Sequence, residues 1–363
     1  MTNRLVFENL KHRPVRTLLG VLIISIQVMI ILALVGLSQG TLSDQAQRAR
    51  GVGADIVIRP PTSSVIGMSG AMRAGIVGKV SEQPHVKIST GVLQQGSDLF
   101  NYVTGLDLAQ FDKLSGGFRF TDGGPFQGPD DVMIDDYYAR QHKYHVGDMI
   151  KLLNRPWHVS GIYEPGMLTR VVVPLTTLQD LTANTGQVSM VYIKLDTPSN
   201  TDQVVSQLRS VFKDYRINSM EEFTSLYSVN NVPMLREFTG VVIGLGVLVG
   251  FLAVFLSMYT AVLERTREIG ILKALGASPA FVLNILLRET TLLAIAGSIL
   301  GIALSFLTRW LIFRVAPASL IQAIVPVWWP IAGAIAIAGA LLGALYPGLK
   351  AARQDAIEAL AYD

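Results

Sequence analysis

The sequence predicts a membrane-anchored protein: four transmembrane α-helices plus an extracytoplasmic α+β domain that carries a β-rich inserted subdomain. Three observations predict this class. Half of the 363 residues are hydrophobic and only 16% are charged, with a positive mean hydropathy of +0.42, which is too apolar for an ordinary soluble chain. Four segments, 18–37, 241–262, 286–307 and 325–345, are long and nearly uncharged, each with about the 20 residues that a helix needs to cross a hydrocarbon core. Between the first and second of them lies a stretch, 41–235, with the mixed composition of a soluble domain.

The first element is a basic entry helix over 1–16, where Arg4, Lys11, Arg13 and Arg16 face a single acid, Glu8. Such a flank beside a first span stays in the cytoplasm. The apolar run that follows is too long for the core of a signal peptide, and no small-x-small cleavage site follows it, so 17–40 is expected to be an uncleaved span. Counting onward places 41–235 outside, a second span at 236–263, an inner helix at 264–278 and a third span at 282–312. An outer loop at 313–324, a fourth span at 325–347 and an inner tail at 348–363 complete the order. Arg265, Arg267, Lys273, Lys350 and Arg353 then fall on the inner side, as the positive-inside rule requires, whereas Arg309 and Arg314 run mildly against it. Both termini are therefore expected to be cytoplasmic.

The outer segment holds 17 Lys and Arg against 19 Asp and Glu, and the rest of the chain 13 against 8. The pI near 9.0 therefore reflects the flanks of the spans, and no basic stripe with interleaved aromatics suggests nucleic acid. The chain has no cysteine, which excludes disulfides, thiol nucleophiles and cysteine metal sites.

Within 41–235, "ADIVIRP" and "MVYIKLD" read as strands. "NTDQVVSQLRSVFKDY" reads as a helix burying Val204, Val205, Leu208 and Phe212, with Asn200 or Thr201 at its start. The pieces "VMI", "MIKLL", "WHVSGIY" and "VVVPL" make 115–175 the β-rich insertion, and 60–75 reads as an open loop. No catalytic site is expected. His142, His145 and His158 stand near Asp135 and Asp136 but without a metal-binding spacing. "GIVGKV" at 75–80 lacks the first glycine of a phosphate loop, where Arg73 stands, and ends in Val80. No G-x-S-x-G element is present.

The spans are rich in glycine and are read as free of a buried acid or base that would mark a proton or ion path. Gly240/Gly244, Gly246/Gly250, Gly297/Gly301 and Gly339/Gly343 are GxxxG pairs, which let helix backbones approach closely. Gln27 is polar at mid-span, suited to a bond across such a seam or to a local partner.

The inner stretch "ERTREIGILKALGAS" is the most pointed feature. Glu264, Arg265, Arg267 and Glu268 form a charged first turn. Ile269 follows, Gly270 allows close approach, and Ile271, Leu272 and Leu275 form an apolar ridge beside Lys273. Gly276 is placed to end the helix. Spacing alone fits either an ordinary juxtamembrane loop or a helix that docks on a partner.

Four stretches, in order, resemble permease subunits of the MacB/LolC/LolE/FtsX superfamily of ABC transporters: "ENLKHRPVRTLLGVLIISI", "VGDMIKLLNRPWHVSGIYEPG", "ERTREIGILKALGAS" and "YPGLKAARQDAIEALAYD". The third carries the family pattern E-R-x-x-E-I-G-x-x-x-A-x-G-A. In the fourth, Ala356 replaces the usual proline. The resemblance implies a MacB-like, mechanotransmission-type permease in which Glu264, Arg265, Arg267, Glu268, Ile269, Gly270, Ile271, Leu272, Lys273, Leu275 and Gly276 dock an ATPase. It implies two copies of a cytoplasmic ABC ATPase, a second permease copy forming a homodimer, and ATP and Mg bound by the ATPase rather than by this chain. No Walker A element is present, so the ATPase is expected on a separate polypeptide. A periplasmic adaptor, export of a hydrophobic or peptide cargo, lipoprotein extraction of the LolC/E type and FtsX-like signalling or a scaffold role all remain open at this point.

Overall fold

The computed structural model describes residues 11, 14–63, 70–97 and 101–354. Most of the expected entry helix and the end of the tail, including Ala356, lie outside the described residues. The chain divides into two compact units: Met1–Ser38, Met234–Leu311 and Gln322–Asp363 form one, and Gln39–Pro233 with Ile312–Ile321 the other.

A single long helix, α1 (Pro14–Gly51), contributes to both units. The α/β unit continues through β1 (Ile56–Arg59), β2 (Met72–Arg73), α2 (Gly75–Ser81), β3 (Val86–Gly96), β4 (Tyr102–Leu106) and α3 (Leu108–Ser115). Next come β5 (Phe120–Gly123), β6 (Asp131–Asp135), α4 (Asp136–His142), β7 (Met149–Leu152), β8 (Arg155–Tyr163) and β9 (Val171–Pro174). It closes with α5 (Leu175–Leu181), β10 (Gln187–Val188), β11 (Met190–Leu195), α6 (Thr201–Val211), β12 (Arg216–Ser219) and α7 (Met220–Ser225). The helical unit then contains α8 (Pro233–Glu264), α9 (Thr266–Ala274), most of α10 (Pro279–Val315) and α11 (Trp328–Arg353).

Among the described residues, ten strands form one mixed sheet in the order β12-β1-β11-β3-β4-β9-β6-β8-β5, with β7 on β8. The two strands read from the sequence pair antiparallel, Ile56 opposite Ile193. The β-rich stretch does not form a separate sheet. Its strand β9 runs parallel to β4, Val103 opposite Val171, so the insertion extends the main sheet. Trp157 is fully buried there and donates from Nε1 to the Leu152 carbonyl at 3.1 Å. Part of the stretch expected as an open loop is ordered, since Met72–Arg73 pairs with β10; residues 64–69 lie outside the described residues.

Local chemistry sets the helix ends. Asp107 and Asp135 accept amide hydrogens at the starts of α3 and α4, and Ser219 with Glu222 forms a full capping box on α7. Asn200 occupies the N-cap of α6 without a side-chain bond, because a 3-10 turn at Pro198–Asn200 leads into the helix instead. Val204, Val205 and Leu208 are buried as their spacing predicts.

Among the described residues, four helices are long and apolar enough to cross a membrane: Pro14–Gly51, Leu235–Glu264, Pro279–Val315 and Trp328–Arg353. The segment expected as an outer loop at 313–324 is more structured than that. Residues 312–321 belong to the α/β unit. Gln141 donates from Nε2 to the carbonyls of Phe313 at 2.9 Å and Ala316 at 2.5 Å, Tyr137 meets the Phe313 ring edge-on, and Ala318 is fully buried. Sequence periodicity places a helix end near an apolar limit, but it does not show that the last turn is held by long-range hydrogen bonds.

Candidate functional site

The site is built around α9. After α8, Arg265 leaves helical geometry and α9 begins at Thr266, whose hydroxyl bonds back to the Val262 carbonyl at 3.1 Å. At the other end Gly276 adopts φ +94°, the left-handed conformation that favours glycine. The Gly276 amide then reaches the Lys273 carbonyl at 2.9 Å and the Ala277 amide reaches that of Leu272 at 3.0 Å, the paired bonds of a Schellman ending. Ser278 starts the next helix, its Oγ accepting the Phe281 amide at 3.2 Å.

This short helix is anchored at both ends within its unit. Near its start, Arg265 is 7% exposed and its Nη1 lies 3.1 Å from Oε2 of Glu289, itself 2% exposed on α10. Arg16 on α1 approaches the other Glu289 oxygen at 3.6 Å. Near its end, Lys273 donates from Nζ to the Ala352 carbonyl at 2.9 Å and also to that of Gln354. A cation there satisfies carbonyls left open at the C-terminus of α11. Between the anchors, Ile269 is buried in the same apolar cluster as Val282 and Leu286.

Glu289 corrects the expectation that the spans lack a buried acid. The expected third span contains one, and it is neutralised by two arginines from other elements. A carboxylate in an apolar helix has to find such a partner, because burying it alone is very costly.

The residues picked out from the sequence therefore separate into two sets. Arg265, Ile269 and Gly270 are turned into the bundle and unavailable at the surface. Glu264, Arg267, Glu268, Ile271, Leu275 and Gly276 are exposed, with Leu272 and Lys273 partly so. Ile271 is 47% and Leu275 81% exposed. They stand one turn apart on a face flanked by Arg267 and Glu268, an apolar ridge with charges of both signs beside it.

The eight span glycines also divide. A Cβ on Gly301 would stand 2.7 Å from the Ser25 carbonyl oxygen, and one on Gly343 2.7 Å from that of Phe251. At Gly297 it would meet Ile24 at 2.7 Å, and at Gly250 it would overlap the Gln27 side-chain amide at 1.9 Å. These four allow close approach of α1, α8, α10 and α11. Gly339 has ordinary space, 3.8 Å to Val247, while nothing lies within 4 Å of a Cβ on Gly240, Gly244 or Gly246. Gln27 is thus placed by Gly250, although its Nε2 finds no acceptor among the described residues.

In the α/β unit, a buried ionic network holds the end of α1. Arg170 donates to Asp135 at 2.6 Å and to Asp44 at 3.0 Å, and Asp44 also meets Arg48 at 3.0 Å. Burial pushes the Asp135 carboxyl up, against the pull of Arg170 and the Tyr138 amide. The Leu168 amide bonds to the Arg48 carbonyl at 3.2 Å. Sequence reasoning missed this network; the signal was the pair of charges Asp44 and Arg48, spaced i,i+4, beyond the first apolar run. The histidines considered for metal lie apart: His142 stacks with Tyr144, His145 faces Asp148 and His158 faces Asp131. Among the described residues no three metal-binding side chains are grouped.

Among the described residues, four span-length apolar helices, a charged helical hairpin between two of them and a large mixed-sheet unit have the make-up of a multi-pass membrane protein with an elaborated domain outside its spans. Residues 17–211 match the MacB-like periplasmic core domain, and 240–356 match the FtsX-like permease C-terminal domain. The chain belongs to this MacB-like and FtsX-like family of ABC-transporter permeases. Relatives include the uncharacterised ABC transporter permease YknZ of Bacillus subtilis, 26% identical over 69% of this chain and 66% of that protein. The macrolide export ATP-binding/permease protein MacB of Salmonella typhi is 27% identical over 68% of this chain and 41% of that one. The pyoverdine export ATP-binding/permease protein PvdT of Pseudomonas syringae is 26% identical over 96% of this chain and 57% of that one. This chain therefore spans about two-fifths to two-thirds of the length of these relatives. Among solved structures, the periplasmic region of MacB from Actinobacillus actinomycetemcomitans aligns with TM-score 0.37 and 14% identity, over 47% of this chain and 92% of that one.

Proposed function

We propose that this chain is the membrane subunit of an ATP-driven machine in which an ABC ATPase, bound to the exposed face of α9, moves the α/β unit mechanically. The observation that carries this reading is the position of Ile271 and Leu275. They form an apolar ridge exposed to 47% and 81% on a helix pinned to α10 through Glu289 and to α11 through Lys273. A ridge fixed at both ends transmits a push, whereas a loose loop absorbs it.

Three features support mechanical transmission over passage through a channel. An apolar pocket lined by Ile24, Val254, Met258 and Thr290 measures about 10 Å³, room for about one water. The buried acid of the bundle, Glu289, is engaged by Arg265 at 3.1 Å and Arg16 at 3.6 Å. The helix α1 is uninterrupted from Pro14 to Gly51, and its far end is locked to the sheet by the Arg170–Asp44–Asp135 network.

The assembly in this reading has two permease chains and two ATPase subunits, with ATP and Mg held by the ATPase. The open face at Gly240 and Gly244, one turn apart on α8, suits a second copy. The work performed is export or extraction of a hydrophobic, peptide or lipid-type cargo at an inner membrane with both termini cytoplasmic. Two relatives bear names that describe export, which favours export over lipoprotein release or signalling without transport. The test is co-purification with the cognate ATPase and ATP turnover in the reconstituted complex. Ile271→Asp with Leu275→Asp should abolish both while leaving the permease folded; an intact, active complex would overturn the reading.

A further inference from the structure

Arg59 ends β1 and is 1% exposed, yet its Nε and Nη1 have no hydrogen-bond partner among the described residues. Its guanidinium lies 4.6 Å from the Phe223 ring centroid, a cation–π contact and no substitute for an anion. A fully buried arginine almost always has a carboxylate or several carbonyls to satisfy it. Here the groups acting on it are two tyrosines and another arginine, and burial lowers its pKa from the ordinary value.

The neighbours strengthen the anomaly. Arg216 stands directly opposite Arg59 in the antiparallel β1–β12 pair, where like charges repel. Arg59, Arg209, Lys213 and Arg216 all line one open cleft of about 410 Å³, with Tyr215 and Asn218 between them. The carboxylate beside it, Glu222, is already occupied by Arg209 at 2.7 Å, Asn218 at 3.2 Å and its own capping box. Lys213 and Arg216 are exposed. Folding has gathered four cations around a hollow and left two nitrogens of the buried one without a partner among the described residues.

We propose that this cleft binds a phosphate-type oxyanion, seated between the Arg59 and Arg216 guanidinium groups with Lys213 at the mouth. Guanidinium forks match the paired oxygens of phosphate, and a multiply charged anion offsets several cations at once. The same chemistry is presented by a lipid phosphate headgroup and by a soluble phosphate ester. The proposal is independent of ATPase docking, because every residue in it belongs to the α/β unit.

The test uses the full chain in phosphatidylcholine nanodiscs at constant ionic strength, titrated with glycerol 3-phosphate by calorimetry and followed by thermal melting. The wild type should bind and melt at a higher temperature with ligand. Lys213→Gln with Arg216→Gln, both exposed, should weaken binding by about tenfold or more, the second also losing the Arg216 bond to the Ser63 carbonyl at 3.2 Å. Arg59→Met should abolish binding and raise the melting temperature without ligand, since it removes an uncompensated buried charge. A second arm replaces the nanodisc lipid with phosphatidylglycerol. If that lipid alone raises the melting temperature through Arg59 and blocks glycerol 3-phosphate, the source is a headgroup; if it does neither, the source is soluble. No response of the wild type to either probe would overturn the proposal, as would unchanged binding by the Lys213→Gln, Arg216→Gln variant, which decides the matter even if Arg59→Met fails to fold.

Discussion

Arg265 and Glu289 form a buried ion pair, Nη1 to Oε2 at 3.1 Å, that fixes the start of α9 to α10. The arginine lies inside the stretch that resembles the family motif, yet it faces away from any partner. Its role is to hold the helix whose other face is exposed.

Breaking this pair on one side should be costly. Glu289→Ala leaves Arg265 buried without its carboxylate, and the expected loss is about 3–5 kcal/mol, read by thermal unfolding in detergent. Arg265→Leu with Glu289→Leu should recover much of that loss in a double-mutant cycle. If the single variants melt like the wild type, the anchor is not a structural one.

The glycines make a contrast within a single residue type. Gly301→Ala drives a methyl towards the Ser25 carbonyl at 2.7 Å, and should cost about 1–3 kcal/mol by overpacking. Gly244→Ala meets nothing within 4 Å and should leave the melting temperature of the isolated chain unchanged. Equal effects at both positions would contradict the packing described.

Much of this was legible beforehand, for physical reasons. The four spans follow from length and hydropathy alone, β1 and β11 from runs of β-branched and apolar residues, and α6 from helical spacing. The left-handed position of Gly276 follows from its place after an apolar ridge. Arg265 and Glu289 were not legible as partners, since they sit 24 residues apart and no local pattern links a motif arginine to an acid in the next span. The joining of β9 to β4 was hidden in the same way: strand pairing across a long insertion leaves no trace in local periodicity. Arg59 reads as the polar end of a strand, and only burial reveals that it is unsatisfied.

The α/β unit should show one acid-sensitive contact. Burial raises the Asp131 carboxyl, but amide hydrogens from Gln127 and Gly128, at 2.9 and 2.8 Å, and the His158 ring outweigh it and bring it below its ordinary value of 3.8. A depressed carboxyl contributes stability above its unfolded pKa and loses it as pH falls through the folded one. Asp131→Asn should therefore lower the melting temperature at pH 7 and have no effect once the pH is below the folded-state pKa. A pH-independent difference between the two proteins would count against the contact.

The central claim, that the exposed face of α9 is where an ATPase binds, is tested most directly by cross-linking. The chain contains no cysteine, so Leu275→Cys places a single thiol on the ridge without background. With a short thiol-reactive cross-linker in the assembled complex, the account predicts a dominant adduct between this chain and the ATPase subunit. The control Val211→Cys, exposed in the α/β unit, should give none. An ATPase that co-purifies but cross-links no better to position 275 than to position 211 would contradict it.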